Sequence, residues 1–395
     1  MRRRDSMGNS SLELALLYIA VLIVVSRVLG EAFLRIKQPA IIGELLAGMI
    51  LGPMMFGFIE VLPEIELFIL LGVYFLIFLA GYEEINVEEL VKAMRIRVIA
   101  SSMISFFTPF TLCLLVFSQV MGMAWAPSLL LSSVMALTSL GVVVRIVSDL
   151  RIAGVKLGLN LINMSILSEF MGLLIASAST QMLVQGEQGD YAFMAVKVLS
   201  FFLTSGLAGY FLVPRLIRRV ERIFKVKAAS FATLIAIVLL FSYLSSLAGL
   251  HGVFGALIMG FALSRTKWDP VIRGTVDQLK GFAYGIFIPL FFAGAGLYVT
   301  RDFMKLDVLA AVAVALAVVV GKLVGGFVSS KLMRVEHRSL IALGQLAKGG
   351  VEIAILSFAL SIEAVSIELY SYIVLLIFFL TIAASTSLNL YRRIA

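Results

Sequence analysis

The chain has 395 residues, of which 61% are hydrophobic and only 14% are charged, and its formal net charge is +8. Soluble proteins are about half apolar and about a quarter charged, so this composition excludes a soluble enzyme. One cysteine excludes a disulfide framework and a paired-cysteine metal site, and two histidines leave few metal ligands. We therefore expect a membrane protein without a bound cofactor.

The hydrophobic residues fall into long runs that are separated by proline, glycine or charged clusters. A hydrocarbon core of ~30 Å needs about 20 apolar residues per helix, so each run predicts one membrane-spanning helix. The sequence thus predicts an all-α polytopic membrane protein with 13 transmembrane helices. In chain order, the predicted spans are 11–29, 39–56, 65–80, 94–119, 125–147, 155–184, 191–217, 228–247, 250–264, 279–299, 306–332, 338–360 and 368–391.

The basic residues predict how these spans are oriented. Most of the 32 lysine and arginine residues lie in loops that follow odd-numbered spans, or at the C-terminus. Because positively charged loops stay in the cytoplasm, we predict an external N-terminus and a cytoplasmic C-terminus in the cell (inner) membrane. The basic charge then reflects topology, and binding of nucleic acid is not expected.

Two predicted spans are interrupted near their centres. Thr138-Ser139-Leu140-Gly141 interrupts span 5, and Lys348-Gly349-Gly350 interrupts span 12. Because these spans are seven apart, they run in opposite directions, and we predict two inverted six-helix repeats joined by span 7. Matched interruptions in inverted halves indicate a transporter's binding site. Small residues that merely allow close helix packing are the alternative.

Four charged residues lie near the centres of their spans: Glu169 in span 6, Lys322 in span 11, and Lys348 and Glu352 in span 12. At a helix centre each costs about 2.5–3.5 kcal/mol on insertion scales unless it is paired or hydrated. Two acids and two bases cancel in charge. We therefore expect these side chains to face one another inside the helix bundle.

Glu169 is the predicted site of ion and proton binding. Ser165 and Ser168 lie near it on the same helix, and Thr138 and Ser139 add oxygens from the interrupted span. A carboxylate with hydroxyl and carbonyl oxygens suits a hard monovalent cation such as Na⁺ or Li⁺, or a proton. A glutamate that pairs with a lysine only for structure is the alternative.

Lys322 is the predicted partner of Glu169, and a lysine that only neutralises the carbonyl ends of the interrupted helices is the alternative. Glu44, close to the cytoplasmic end of span 2, is predicted to line a hydrated cytoplasmic funnel. Lys348 and Glu352 are predicted to pair with each other and brace the interruption of span 12. The predicted supports of the two interruptions are Lys348, Glu352, Gly141, Gly349 and Gly350.

Several short segments recur in this order in one known family. They are Gln38–Gly48, Leu51-Gly52-Pro53, Phe78–Glu83, Thr138–Gly141, Gly255–Gly260, Pro289–Leu297, Gly321-Lys322 and Lys348–Glu352. Together they resemble the monovalent cation/proton antiporter family, especially prokaryotic sodium/proton antiporters of the NapA type. The similarity runs from about residue 11 to residue 390.

This resemblance implies a homodimer in which a mobile core moves like an elevator against a panel. The panel would comprise 11–90 and 228–300, the core 94–184 and 306–393, and the linker helix 191–217. The family's ion-binding acid falls on Glu169 and its basic residue on Lys322. Electrogenic relatives carry two adjacent aspartates where this chain has Ser168-Glu169, so one proton per cation is the simpler expectation. Relatives often have arginine at the position of Lys348.

We therefore predict an antiporter that serves pH homeostasis by exchanging Na⁺, or another monovalent cation such as Li⁺ or K⁺, for H⁺. Its partners would be these two ions, the lipid bilayer and a second copy of the chain. A sodium-coupled solute symporter or a channel-like permease with the same fold is the alternative. An enzyme is not predicted, because the sequence has neither a GxSxG nor an HExxH motif.

Overall fold

The computed structural model describes residues 2–83, 96–149, 156–185, 191–248, 250, 252–335 and 338–394, and its secondary structure within these ranges is helical, with no strand. The α-helices are α1 (Arg2–Arg35), α2 (Ala40–Leu51), α3 (Pro63–Glu83), α4 (Ile96–Leu115), α5 (Trp125–Ala136), α6 (Leu140–Asp149), α7 (Lys156–Gln185), α8 (Tyr191–Leu207), α9 (Val213–Ile223), α10 (Ala229–Leu247), α11 (Gly252–Ser264), α12 (Pro270–Phe282), α13 (Ile288–Leu297), α14 (Val308–Leu332), α15 (Arg338–Gly344), α16 (Gly350–Ser361) and α17 (Ile367–Ile394). Single π-helical turns follow α4, α8 and α12, and a 3₁₀ turn covers Arg301–Lys305.

Within the described residues, 9 helical segments are long and apolar enough to cross a membrane. The prediction of an all-helical protein with many membrane spans is confirmed, whereas the count of 13 spans stays a prediction. The shorter apolar helices are α2, α5, α11 and α16. They fall in predicted spans 2, 5, 9 and 12, which form two pairs that are seven spans apart. This pairing is consistent with an inverted repeat, which itself stays a prediction.

Glycines bring the first group of helices into close contact. A Cβ atom on Gly48 of α2 would lie 1.8 Å from the Ala293 carbonyl oxygen of α13, and one on Gly260 of α11 would lie 2.1 Å from the Phe78 carbonyl oxygen of α3. Small residues at such crossings let backbones approach closely inside a membrane. Helices α1, α2, α3, α10, α11 and α13 pack together in this way.

A second group forms around α4, which packs against α5, α7 and α14, while α14 also packs against α15. At the centre of this group, Gly321 of α14 lies against Pro109 of α4, where a Cβ atom would come within 2.5 Å of the proline Cα. This close packing brings the polar residues on the inner face of α14 up to the interruption between α5 and α6. The second group therefore holds the interrupted helices.

Candidate functional site

The two interrupted helices cross each other in direct contact. The chain leaves helical geometry between Ala136 and Leu140, and again between Gly344 and Gly350. The Ser139 backbone N–H donates to the Ala347 carbonyl oxygen at 3.0 Å. A Cβ atom on Gly349 would lie 2.2 Å from Ser139 Oγ, so only glycine allows this approach. The predicted interruptions thus lie at a single place in the fold.

The C-terminal end of α5 presents carbonyl oxygens that have no helical N–H partner, as every helix end does. In a membrane such groups need donors from the protein itself. Lys348, which is fully buried, supplies three of these bonds. Its Nζ atom donates to the carbonyl oxygens of Val134 at 3.1 Å, Met135 at 2.7 Å and Leu137 at 2.6 Å.

Lys322 binds the carbonyl oxygen that Lys348 does not reach, that of Ala136. Its ammonium group, also fully buried, donates to the Ala136 carbonyl oxygen and to Thr138 Oγ1 at 2.7 Å. Ser168 Oγ donates to the same Ala136 oxygen at 3.4 Å. Two ammonium groups therefore neutralise the negative end of the α5 dipole. This geometry agrees with the alternative that Lys322 neutralises carbonyl ends, and its pairing with Glu169 stays a prediction.

The structure adds to the role expected of Lys348, which was predicted to pair with Glu352 and brace the interruption of its own span. Its ammonium group also braces the interruption of span 5, and its pairing with Glu352 stays a prediction. The physical reason is that three carbonyl oxygens converge at the end of α5, where they attract a cation that can donate three hydrogen bonds.

The N-terminal end of α16 is stabilised by its own acid. Glu352, in the first turn of α16 and buried, accepts a hydrogen bond through Oε2 from the Gly349 backbone N–H at 3.0 Å. A carboxylate is favourable at this end of a helix because the unpaired N–H groups carry partial positive charge. Gly141, the corresponding glycine of the first interruption, lies in the first turn of α6.

Glu169 lies on α7 where this helix packs against the crossing. Its neighbour Ser168 is buried against α5, and a Cβ atom on Gly172, one turn later, would lie 2.3 Å from Leu137 Cδ2. Glu169 itself is partly exposed. Ser165 Oγ donates to the Leu161 carbonyl oxygen at 2.9 Å within the same helix. Glu169 thus lies on a helix that packs against the crossing, next to the buried Ser168 in the chain, and its side chain is partly exposed.

Sequence reasoning missed Gln345, which lies in the interruption between α15 and α16 and is fully buried. Its Oε1 atom accepts from Thr138 Oγ1 and from Ser105 Oγ, each at 3.0 Å. The available signal was a glutamine inside a predicted span, three residues before Lys348. A polar group in that setting needs a partner.

Glu44 was predicted to line a hydrated cytoplasmic funnel, and the structure corrects this. Its side chain is 6% exposed and lies 3.5 Å from Arg27 NH1 of α1. The reason is the tight packing of α1 on α2, where a Cβ atom on Gly43 would come within 2.3 Å of the Leu29 carbonyl oxygen.

Comparisons with known proteins place the chain in a family. The model of the family described as "Sodium/hydrogen exchanger, transmembrane" matches residues 17–391. The Na⁺/H⁺ antiporter of Enterococcus hirae is 26% identical over 384 residues, which are 95% of this chain and 97% of that protein. The Na⁺/H⁺-K⁺ antiporter GerN of Bacillus cereus is 24% identical, over 92% of each protein.

Among solved structures, the sodium proton antiporter MjNhaP1 of Methanocaldococcus jannaschii has a similar fold. The TM-score is 0.70 at 17% identity, and the match covers 96% of each chain. At this level of identity the similarity concerns the fold alone. The family match extends over nearly the whole chain and confirms the resemblance to monovalent cation/proton antiporters. The chain therefore belongs to the transmembrane sodium/hydrogen exchanger family.

Proposed function

We propose that this protein exchanges Na⁺, or another monovalent cation, for H⁺ across the cell membrane, and that both ions compete for the Glu169 carboxylate. One observation carries the proposal: α7, the helix that holds the partly exposed Glu169, packs through Ser168 and Gly172 against the crossing of the interrupted helices. Relatives that are named as a Na⁺/H⁺ antiporter and a Na⁺/H⁺-K⁺ antiporter support it.

The chemistry around Glu169 suits either ion. Ser165 and Ser168 each donate their hydroxyl proton to a backbone carbonyl, which leaves oxygen lone pairs that can bind a cation. A proton on Glu169 occupies the same carboxylate oxygens that a cation needs. Binding of the cation therefore requires release of the proton, and this competition couples the two fluxes.

The lysines support an exchange of one proton for one cation. Lys322 and Lys348 are held by the carbonyl oxygens at the end of α5, and these acceptors persist whichever ion occupies Glu169. With Glu169 as the exchanging acid, the core carries the same net charge when it is loaded with Na⁺ as when it is loaded with H⁺. We propose that exchange is electroneutral.

Movement of the core against the panel completes the proposed cycle. The panel would comprise 11–90 and 228–300, and the core 94–184 and 306–393. Gly350 of the core lies against Leu76 and Phe292 of the panel, where a Cβ atom would come within 2.5 Å and 2.9 Å. A cavity of about 630 Å³ between α3, α16 and the end of α13 includes Glu66 and Tyr298 in its lining. We propose that water reaches the boundary between core and panel through this cavity.

The test is exchange in proteoliposomes that hold an imposed pH gradient. A Na⁺ pulse should dissipate the gradient in the wild type, Glu169→Gln and Glu169→Ala should abolish this response, and Glu169→Asp should retain it with altered cation preference among Na⁺, Li⁺ and K⁺. Glu44→Gln is the matched control, since it alters another intramembrane acid outside the site. Full exchange by Glu169→Gln, or cation flux that ignores pH, would refute the assignment.

Orientation and assembly are separate parts of the proposal, with the N-terminus outside, the C-terminus in the cytoplasm and a homodimer as the unit. Protease release of a C-terminal tag should require disruption of right-side-out vesicles. Chemical cross-linking in membranes should give a species of twice the chain mass, 43.0 kDa per copy. Release from intact vesicles, or a monomer alone, would contradict these two points.

A further inference from the structure

Gln345 connects both interruptions to the surrounding helices. Thr138 Oγ1 lies 3.0 Å from Gln345 Oε1 and 3.3 Å from the Gln345 carbonyl oxygen. Ser105 of α4 donates to the same Oε1 atom at 3.0 Å. The amide therefore receives hydroxyl groups from two neighbouring elements, and all three side chains are buried.

The hydroxyl of Thr138 has one proton and two lone pairs. Lys322 Nζ, 2.7 Å away, carries only donors, so it takes one lone pair and cannot accept the Thr138 proton. The proton must then point to a different acceptor, and Gln345 places two carbonyl oxygens there. With the proton directed to Gln345, the second lone pair of Thr138 stays available to a passing cation.

The surroundings of the amide nitrogen indicate that the oxygen is the functional atom of the Gln345 side chain. Gln345 Nε2 is buried and has no hydrogen-bond partner among the residues that the structure describes. Leaving such a donor unsatisfied costs about 1–3 kcal/mol. Rotating the amide by half a turn would place donors against Thr138 and Ser105 and leave the oxygen unsatisfied instead. A methionine would fill the same space without this cost.

We propose that Gln345 is a positioning residue of the transport site, which acts by orienting the Thr138 hydroxyl so that an oxygen lone pair, and not a proton, faces the cation. This inference rests on the proposed function, because it takes the cation to pass beside Thr138. Gln345 itself touches neither ion.

The test is a double-mutant cycle between Gln345 and Thr138, read as the KM and Vmax of Na⁺-driven proton release in proteoliposomes. Gln345→Met removes the acceptor at 3.0 Å and leaves only the longer bond of 3.3 Å to the backbone carbonyl oxygen. It should raise the KM for Na⁺ about fivefold to tenfold, the size of one hydrogen bond, and change Vmax by less than about twofold. Thr138→Val should raise KM at least as much. In the double variant the two effects should not multiply, because the glutamine acts through the hydroxyl.

Ser105→Ala is the matched control, since Ser105 bonds to the same oxygen without touching Thr138, and its KM should stay within about twofold of the wild type. Gln345→Asn retains the amide but withdraws it by one methylene, so it should reproduce the effect of Gln345→Met. If Gln345→Met does not fold, Gln345→Asn is the variant that tests the inference.

Three results would each overturn the inference. The first is a wild-type KM in both Gln345 variants, and the second is a double variant in which the KM increases of the Gln345 variant and Thr138→Val multiply. The third is a KM increase for Ser105→Ala as large as that for Gln345→Met. Measuring Glu169→Gln in the same assay shows whether a negative result concerns the role of Gln345 or the proposed function itself. If Glu169→Gln is inactive while the Gln345 variants keep the wild-type KM, only the role of Gln345 is wrong. Full exchange by Glu169→Gln would instead remove the site on which the inference rests.

Discussion

Opposite groups stabilise two helix ends at the crossing, the C-terminal end of α5 and the N-terminal end of α16. The end of α5 exposes carbonyl oxygens, which Lys348 and Lys322 bind from elements about 200 residues away in the chain, 211 residues in the case of Lys348 and Leu137. The start of α16 exposes N–H groups, and Glu352 of the same helix binds one of them. One end depends on distant cations and the other on a local acid.

This difference follows from the helix dipole, because a C-terminal end attracts cationic donors and an N-terminal end attracts an anionic acceptor. No water in the hydrocarbon region replaces a missing partner, so each helix end must obtain one from the protein. Lysine side chains from other elements also link those elements to α5, whereas an acid on the same helix stabilises only its own turn. We therefore expect the lysines to hold the core together more than Glu352 does.

The largest effect should come from Lys348→Met, which removes the donor from three carbonyl oxygens. At about 1–3 kcal/mol for each unsatisfied buried group, the folded core should lose several kcal/mol. The measurement is the melting temperature of the purified protein in detergent. Lys348→Arg, which retains charge and donors, should recover part of the loss. If Lys348→Met were as stable as the wild type, the end of α5 would not depend on this lysine.

Lys322→Met should destabilise less than Lys348→Met. After this change the Ala136 carbonyl oxygen still accepts from Ser168, and Thr138 still donates to Gln345. The loss should be about 1–3 kcal/mol, as for one unsatisfied buried group. The same melting experiment ranks the two lysines, with Lys331→Met on the exposed end of α14 as the control. The reverse order would mean that Lys322 is the main support of α5.

Gly349→Ala should separate the two interruptions, because the new Cβ atom would meet the Ser139 side chain at 2.2 Å. Overpacking of this kind costs about 1–3 kcal/mol. Combining it with Ser139→Gly removes the atoms in conflict and should restore most of the lost melting temperature. If the double variant is no better than Gly349→Ala alone, the contact with Ser139 is not the reason for the glycine.

The smallest effect should come from Glu352→Gln, which keeps an acceptor for the Gly349 N–H and removes only the negative charge. Charge at a helix end contributes about 0.3–2 kcal/mol, depending on burial. Glu352→Ala removes the hydrogen bond as well and should lower the melting temperature further. Equal melting temperatures for the two variants would assign the stabilisation to charge alone.

Local composition was sufficient to predict much of this fold and part of the site. Membrane helices follow from uninterrupted apolar runs, and the interruptions follow from Thr138-Ser139 and Lys348-Gly349-Gly350, which weaken a helix wherever they occur. The polar residues of the crossing were identified because charge and hydroxyl groups inside apolar runs need partners. Gln345 was missed because an uncharged amide gives a weaker signal of the same kind.

The sequence by itself determined that the protein is all-helical with many apolar helices, where two helices are interrupted and which charged residues lie within apolar helices, since hydrophobicity and backbone freedom are properties of short segments. Only the tertiary structure decided that Lys348 and Lys322 both bind the end of α5, that Glu44 is buried against Arg27, and that Gln345 orients toward Thr138. Such partners are chosen by close packing of glycine-lined helices, which brings together groups that lie far apart in the chain.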